Sequence, residues 1–443
     1  MAPKKNAPVD PLTDEGVILA NIWTRLLIRT KLARLLPGVR RRLDGGQEFL
    51  HYYSDRLLDG PHAALRDAGE LLEQPDEPDR IDLAQCNPPI DLAPSMSTKL
   101  PAERRGYPPS WGLLDLRLLL AQRFEAEQQL HVRPEDEVLI THGVAGALSV
   151  VLDTFLNAGD RAALFDPSSP LYSWMLRHRR IRPAWLQTWI EDGKLRFKHD
   201  DLARTLKGAR LLLLDVPHNP TGAWLAPEDV EEIVWWADRH DVLIFCDQAF
   251  DRFQFDGVNL RIGSLVKTHR RTLTAGSVSK GHGLAAARVG WLAGNRHLIR
   301  PCAVSAIAAT PFVPTLCQQL ALAALKQTDE SFTAIRAEFN SRRRYAFDRL
   351  QGMGLKPSLP AGGFFFWLPV SDLGCDGREF AMELRKEQRV LVWPGEHFGP
   401  SGKKFIRLSI ATDEGRFREG LTRLGEFVRA PQSPATTDQI QAA

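Results

Sequence analysis

The sequence predicts an α/β fold: a large domain with a mainly parallel mixed sheet flanked by helices, followed by a smaller α+β domain. Three observations carry this. Short runs of branched residues recur as EVLIT (137–141), RAALF (161–165), ARLLLLDV (209–216), DVLIFCD (241–247) and RRTLTAG (270–276). Longer segments of helical period separate them, PEDVEEIVWWADRH (227–240) among them. Near-continuous apolar strands spaced by helices imply a parallel sheet covered on both faces. After about residue 330 the pattern changes to a charged helix, SFTAIRAEFNSRRRYAFDRLQGMG, and then to the strand-like pieces GGFFFWLPV and KKFIRLSIA.

Taken in order, residues 1–75 read as a helical extension and 76–105 as a segment that joins the small domain. Residues 106–325 form the large domain, 326–429 the small one, and 430–443, APQSPATTDQIQAA, a disordered tail. Within the extension, Leu19, Ile22, Trp23 and Leu26 share one helical face, with Arg25, Arg29, Lys31 and Arg34 interspersed and Arg40, Arg41 and Arg42 following. This basic amphipathic helix reads as packed on the body with a solvated charged face. The acidic stretch ELLEQPDEPDR (70–80) reads as a linker.

Composition narrows the class. Of 443 residues, 44% are hydrophobic and 25% charged, with a net charge of +3, which fits a folded soluble protein and gives no reason to expect nucleic acid or a membrane as partner. Cys86, Cys246, Cys302, Cys317 and Cys375 are odd in number and lack paired spacing, so neither a disulfide framework nor a metal site is expected. No apolar core of a signal peptide follows the N-terminal lysines, and a cytoplasmic location is the expectation.

Ligands of open α/β sheets collect outside the carboxyl ends of the strands. Here those ends carry Asp247 after DVLIFCD, His218 and Asn219 after ARLLLLDV, and Ser277 to Lys280 after RRTLTAG. An amine, a carboxylate, an amide and hydroxyls are what a charged heteroaromatic aldehyde with a phosphate tail would need: imine formation, a counter-ion for a ring nitrogen, a donor to a phenolic oxygen, and donors to the phosphate.

The segment GSVSKGHGLAAARVGWLAG (276–294) resembles the lysine segment of pyridoxal-phosphate enzymes of the aspartate aminotransferase superfamily, fold type I, class I/II aminotransferases. GYPPSWGLLDLR (106–117), ITHGVAGAL (140–148), DVPHNPTG (215–222), CDQAF (246–250), PAGGFFFWLPV (360–370), VWPGEHFG (392–399) and FIRLSIA (405–411) match that family's segments in order, covering the chain from about 80 to 428. The resemblance implies the cofactor pyridoxal 5′-phosphate and transfer of an amino group from an L-α-amino acid to a 2-oxo acid. It implies that Lys280 holds the cofactor as a Schiff base and moves the substrate α-proton. Asp247 would pair with the ring nitrogen, and Asn219 would donate to the ring hydroxyl oxygen. Val144, Ala145, Ser277, Ser279 and Arg288 would cradle the phosphate. Small residues around Lys280 and before Arg288 would let both long side chains approach that one anion. Tyr107 would reach it from a neighbouring subunit, so a homodimer with a shared active site is implied. Arg407 would clamp the substrate carboxylate, with Asn219 nearby.

Two positions depart from the family pattern. Phe250 stands where a tyrosine is usual, which removes a donor to the ring oxygen. Ser169 stands where an aromatic usually stacks on the ring, leaving Tyr172 or Trp174 to substitute. These changes keep a lyase, cyclase or oxidase on the same scaffold in view, with a cofactor-sensing regulator as the alternative outside enzymes. His142, His218 and His282 are read as loop or supporting polar residues and not as metal ligands. Trp235, Trp236 and Phe364 to Trp367 are read as packing aromatics. No residue is assigned opposite Arg407 to meet a substrate side chain; Arg104 and Arg105, beside Tyr107, are named without a role.

Overall fold

A computed structural model describes residues 79–90, 105–256, 270–327 and 329–429 of the chain. The expectations for 1–75, for Arg104 and for the tail at 430–443 lie outside the described residues. In chain order the strands are β1 (Ile81–Asp82), β2 (Val138–Thr141), β3 (Arg161–Asp166), β4 (Arg182–Glu191), β5 (Lys194–Phe197), β6 (Leu211–Asp215), β7 (Leu243–Asp247), β8 (Thr272–Ser277), β9 (Gly290–Gly294), β10 (Phe365–Pro369), β11 (Val390–Leu391), β12 (Trp393–Pro394) and β13 (Phe405–Ser409).

Eight of them form one sheet in the order β2-β9-β8-β7-β6-β3-β4-β5. Only β9 and β5 run against the rest. The five apolar runs of the sequence are thus five of the six parallel strands, and their carboxyl ends fall along one edge. Why these runs are uniformly apolar is visible in their packing. Leu211 and Leu213 of β6 face one hydrophobic cluster, while Leu212 and Leu214 face another. With side chains alternating across the sheet, both faces are dry.

Helices cover both. On one side lie α1 (Leu114–Gln128), α4 (His199–Leu206) and α5 (Pro227–Arg239), and on the other α2 (Gly143–Phe155) and α3 (Pro170–His178). The second side also takes α6 (Arg296–Ala309), and the first takes α7 (Thr315–Leu325). The sequence assigns no strand to 182–197, yet β4 and β5 form an antiparallel hairpin there, closed at Glu191 and Lys194. Its residues are alternately buried and exposed, so it lacks the continuous apolar run that marks the others.

Beyond α7, the long α8 (Asp329–Gly352), α9 (Gly377–Gln388) and α10 (Glu414–Arg429) pack on a three-stranded antiparallel sheet, β10-β13-β12. Phe364, Phe365 and Phe366 are fully buried there, as is Phe339 of α8, the packing role expected of the run. Trp235 is different: it is 54% exposed, contrary to the packing role expected, because it sits on the outer side of α5 with Arg239 over its ring at 5.5 Å. Near the chain's first described residues, β1 pairs in parallel with β11, and Leu83 accepts from the Ser409 backbone N–H at 2.7 Å. The stretch 81–87 is thereby laid between the small sheet and the edge of the large one.

Candidate active site

Asp247 ends β7 and is nearly buried. Its Oδ1 accepts the backbone N–H of Ala249 at 2.8 Å, and its Oδ2 accepts the Tyr172 hydroxyl at 2.9 Å. Burial raises its pKa to about 6, with the two donors and Lys280 pulling the other way and Asp251 adding to the rise. Tyr172, named from sequence as a candidate stacking ring, is fully buried on α3 and gives its hydroxyl to Asp247. Burial and that carboxylate hold the phenol protonated. Ser169 stands immediately before α3, as its N-cap.

Lys280 follows β8. Its Nζ donates to the Cys86 carbonyl at 2.6 Å and to Asn87 Oδ1 at 3.3 Å. Desolvation lowers its pKa, helped by the guanidinium charges of Arg407 and Arg288 and opposed by Cys86 and Asp247. A depressed ammonium pKa increases the fraction of neutral amine, the form able to attack a carbonyl or take a proton.

Arg407 lies at the middle of β13 and is buried. Its Nη1 donates to Asn219 Oδ1 at 2.9 Å and its Nη2 to the Ala84 carbonyl at 2.7 Å, while Nε has no partner. Phe398, Phe365 and Trp393 surround the guanidinium with ring centroids at 5.0, 5.4 and 5.7 Å. A buried guanidinium with a donor to spare is poised for an anion. Asn219 is fixed in turn by the carboxylate of Asp215, which accepts its backbone N–H at 2.9 Å. Asp215, the last residue of β6, is held protonated by burial first and by the neighbouring Asp247 charge second. His218 beside it donates or accepts at Thr221 Oγ1, 2.7 Å away, and burial lowers its pKa to about 3, so it is a neutral support of the turn.

At the end of β2, Gly143 opens α2 with φ +70°, and a Cβ there would stand 3.0 Å from Arg288 Nη2. The space is a notch between a helix N-terminus and a guanidinium, where backbone amides of Val144 and Ala145 begin the helix. Arg288 Nη2 donates to the His142 carbonyl at 3.3 Å; Ser277 and Ser279 are buried close by, the Ser279 N–H donating to Ser277 Oγ at 3.3 Å. Helix amides, hydroxyls and a guanidinium are the kinds of donor that an anion takes. Two of the small residues after Lys280 make room for other parts of the chain. A Cβ at Gly281 would strike the Arg252 side chain and one at Gly283 (φ +65°) the Ile90 carbonyl, at 2.8 and 2.5 Å.

Tyr107 is 88% exposed and stacks on Phe312 at 4.9 Å. Arg105 is likewise exposed. Phe250 packs edge-on to Phe364 and Phe365 and brings no polar atom. His282 lies behind the lysine, its Nε2 2.9 Å from Arg252 Nη1, with a pKa near 3 from burial and that cation. His142 is likewise lowered, mainly by burial. Among the described residues no group of three His, Cys, Asp or Glu could hold a metal. The sequence reading missed Asp215, and it missed the 84–87 stretch, because carbonyls accept bonds whatever their side chains are.

Lys280, Asp247, Asn219, Arg288 and Arg407 thus line one crevice between two sheets, with an amine, an acidic strand end, an anion notch and a guanidinium in it. That arrangement defines a cofactor-dependent enzyme of amino-group chemistry. Residues 79–424 match the family "Aminotransferase class I and II", and the chain belongs to that family. It is similar to the aromatic-amino-acid aminotransferase 2 of Thermococcus litoralis, 30% identical over 328 residues that span 73% of this chain and 84% of that protein. An aspartate aminotransferase of Pyrococcus abyssi is 28% identical over the same shares. Among solved structures, an aromatic aminotransferase from Pyrococcus horikoshii superposes with TM-score 0.72 at 27% identity, covering 81% of this chain and 98% of that one. The protein is a pyridoxal-phosphate-dependent transaminase; the lyase, cyclase, oxidase and regulator alternatives are not favoured.

Proposed function

We propose that this enzyme takes an α-amino acid through Arg407 and Lys280, with the roles divided as follows. Pyridoxal phosphate, when bound, supplies an aldehyde for the amino group and a ring that accepts the electron pair left at the α-carbon. The site's residues fit it: a notch that a Cβ at 143 would fill, a buried carboxylate at the end of β7, and an unpartnered Nε on Arg407. Asp247, stiffened by Tyr172, would hold a ring nitrogen positive by its charge. Asn219, whose Oδ1 accepts from Arg407, would give its amide N–H to the ring oxygen. Arg288, Ser277, Ser279 and the amides of 144 and 145 would hold the phosphate.

Lys280 Nζ would take the proton from the substrate α-carbon and hold it for return, its lowered basicity suiting both directions. Arg407 binds the α-carboxylate, exchanging its contact with Ala84 or using Nε. The aromatic walls around it exclude water and strengthen that pair.

One observation carries this reading. A single stretch, Ala84 to Asn87, receives both the Lys280 ammonium and the Arg407 guanidinium, so amine and carboxylate clamp converge on one short piece of chain. That convergence supports an α-amino acid as the ligand, and the family match supports amino acid and 2-oxo acid as substrates. As part of the same reading we place the cofactor in a large domain at 106–325, covered by a small one at 326–429, in a homodimer whose exposed Tyr107 reaches the partner's phosphate. Five free cysteines support a reducing, cytoplasmic setting.

Mixing the holoenzyme with a panel of amino acids and following the cofactor's absorption tests this. Conversion to a stable amine form, with stoichiometric 2-oxo acid and no ammonia, is the expected result; release of ammonia contradicts it.

A further inference from the structure

The connection between β12 and β13, residues 395–404, is tied to the large sheet by a carboxylate that the roles above do not use. Asp166 ends β3, parallel to the strands that carry Asp215 and Asp247, and is 6% exposed. Its Oδ1 accepts the Ser401 hydroxyl at 2.8 Å, and both of its oxygens lie 3.1 Å from the Ser401 backbone N–H. Two residues on, the Ser168 N–H donates to the Phe398 carbonyl at 2.7 Å. Gly399 sits against the same carboxylate so closely that a Cβ there would collide with Asp166 Oδ1. These bonds and a close contact thus join residues 230 to 235 positions apart across the two sheets.

What the tie holds is the arginine. Trp393, before the connection, is the register partner of Arg407, after it; Phe398, within it, packs on the guanidinium. We propose that Asp166 is a positioning residue for carboxylate recognition, holding the 395–404 connection against the large sheet so that Arg407 and its aromatic walls stay over the cofactor site. The inference rests on the role given to Arg407 above. Burial raises the Asp166 pKa and the two Ser401 donors offset this, as expected of a carboxylate kept for its acceptors.

The test uses the holoenzyme in its amino-donor half-reaction, which separates the apparent Kd of the amino acid from the limiting rate, together with hydrogen exchange at the Ser401 amide. Asp166→Asn is expected to raise the apparent Kd about tenfold, equivalent to ~1.4 kcal/mol, to leave the limiting rate within about threefold, and to speed exchange at Ser401. Ser401→Ala, which keeps the backbone bond, should move both readouts in the same direction by less, and it carries the test should the aspartate variant fail to fold. An unchanged Kd in both variants, or a fall in limiting rate and cofactor content together, would overturn the proposal. Arg407→Ala distinguishes the two layers: if it also leaves Kd unchanged, the carboxylate reading fails; if it raises Kd while the Asp166 and Ser401 variants do not, only the tie is wrong.

Discussion

Asp215 and Asp247 end neighbouring parallel strands, are register partners, and follow runs of the same apolar character, LLLL and LIFC. Both are buried and both have raised pKa values, yet they do different things. Asp247 has a donor on each oxygen and an ammonium in its field, so its pKa stops at about 6 and it is the member of the pair that ionises near neutrality. Asp215 has one backbone donor, and burial first, then the Asp247 charge, push its pKa well up. The difference teaches that a strand-end aspartate becomes an ion only where the fold supplies donors on both oxygens. Without them, it is a polar strut.

Substitution can break this contrast. Asp247→Asn should show the largest effect, a loss of about 10²- to 10³-fold in kcat/KM from removing a charge aimed at the ring, read by steady-state kinetics. The same variant should alter stability in the cofactor-free protein. Between pH 3.8 and about 6 the native state holds the Asp247 proton more tightly than the unfolded chain does. The group's contribution to stability therefore falls as pH rises through that window, by about 1.4 kcal/mol per pH unit, and is level above it. Urea titrations at pH 4.5 and 6 should show that slope in wild type and a weaker one in the variant; equal slopes would mean Asp247 is not buried as described.

Tyr172→Phe sharpens the contrast by making Asp247 resemble Asp215. One oxygen loses its donor, the pKa rises further, and cofactor affinity should fall about tenfold, measured by spectroscopic titration. The smallest effect belongs to Asp215→Asn. An amide replaces a group already protonated and can still accept the Asn219 N–H, so kcat/KM should stay within about threefold. A loss as large as that of Asp247→Asn would show the two aspartates to be equivalent.

Much of this was legible in the chain because of one physical rule: strands dry on both faces must be continuously apolar, so β2, β3, β6, β7 and β8 announce themselves and their ends locate the crevice. The β4–β5 hairpin was not, since it is wet on one face and its alternation is short of a strong signal. In the crevice, Lys280, Asp247, Asn219, Arg288 and Arg407 were named by a resemblance to a family. Composition alone did not distinguish Asp247 from Asp215. Tyr172 was named, with Trp174, as a ring that could stack in place of the aromatic absent at Ser169, and only tertiary structure shows its hydroxyl on a carboxylate 75 positions away. The bonds to Ala84 and Cys86 use backbone atoms, which no side-chain pattern encodes. Asp166 and Ser401 are each ordinary turn residues until β3 and the 395–404 connection are set side by side.

The central claim is that the amine at Lys280 is the one that meets pyridoxal phosphate. Borohydride reduction of the holoenzyme, followed by peptide mass mapping, tests it most directly. The expected result is a single phosphopyridoxyl adduct on Lys280, lost in Lys280→Ala. An adduct on another lysine, or none on a protein that retains the cofactor, would contradict it.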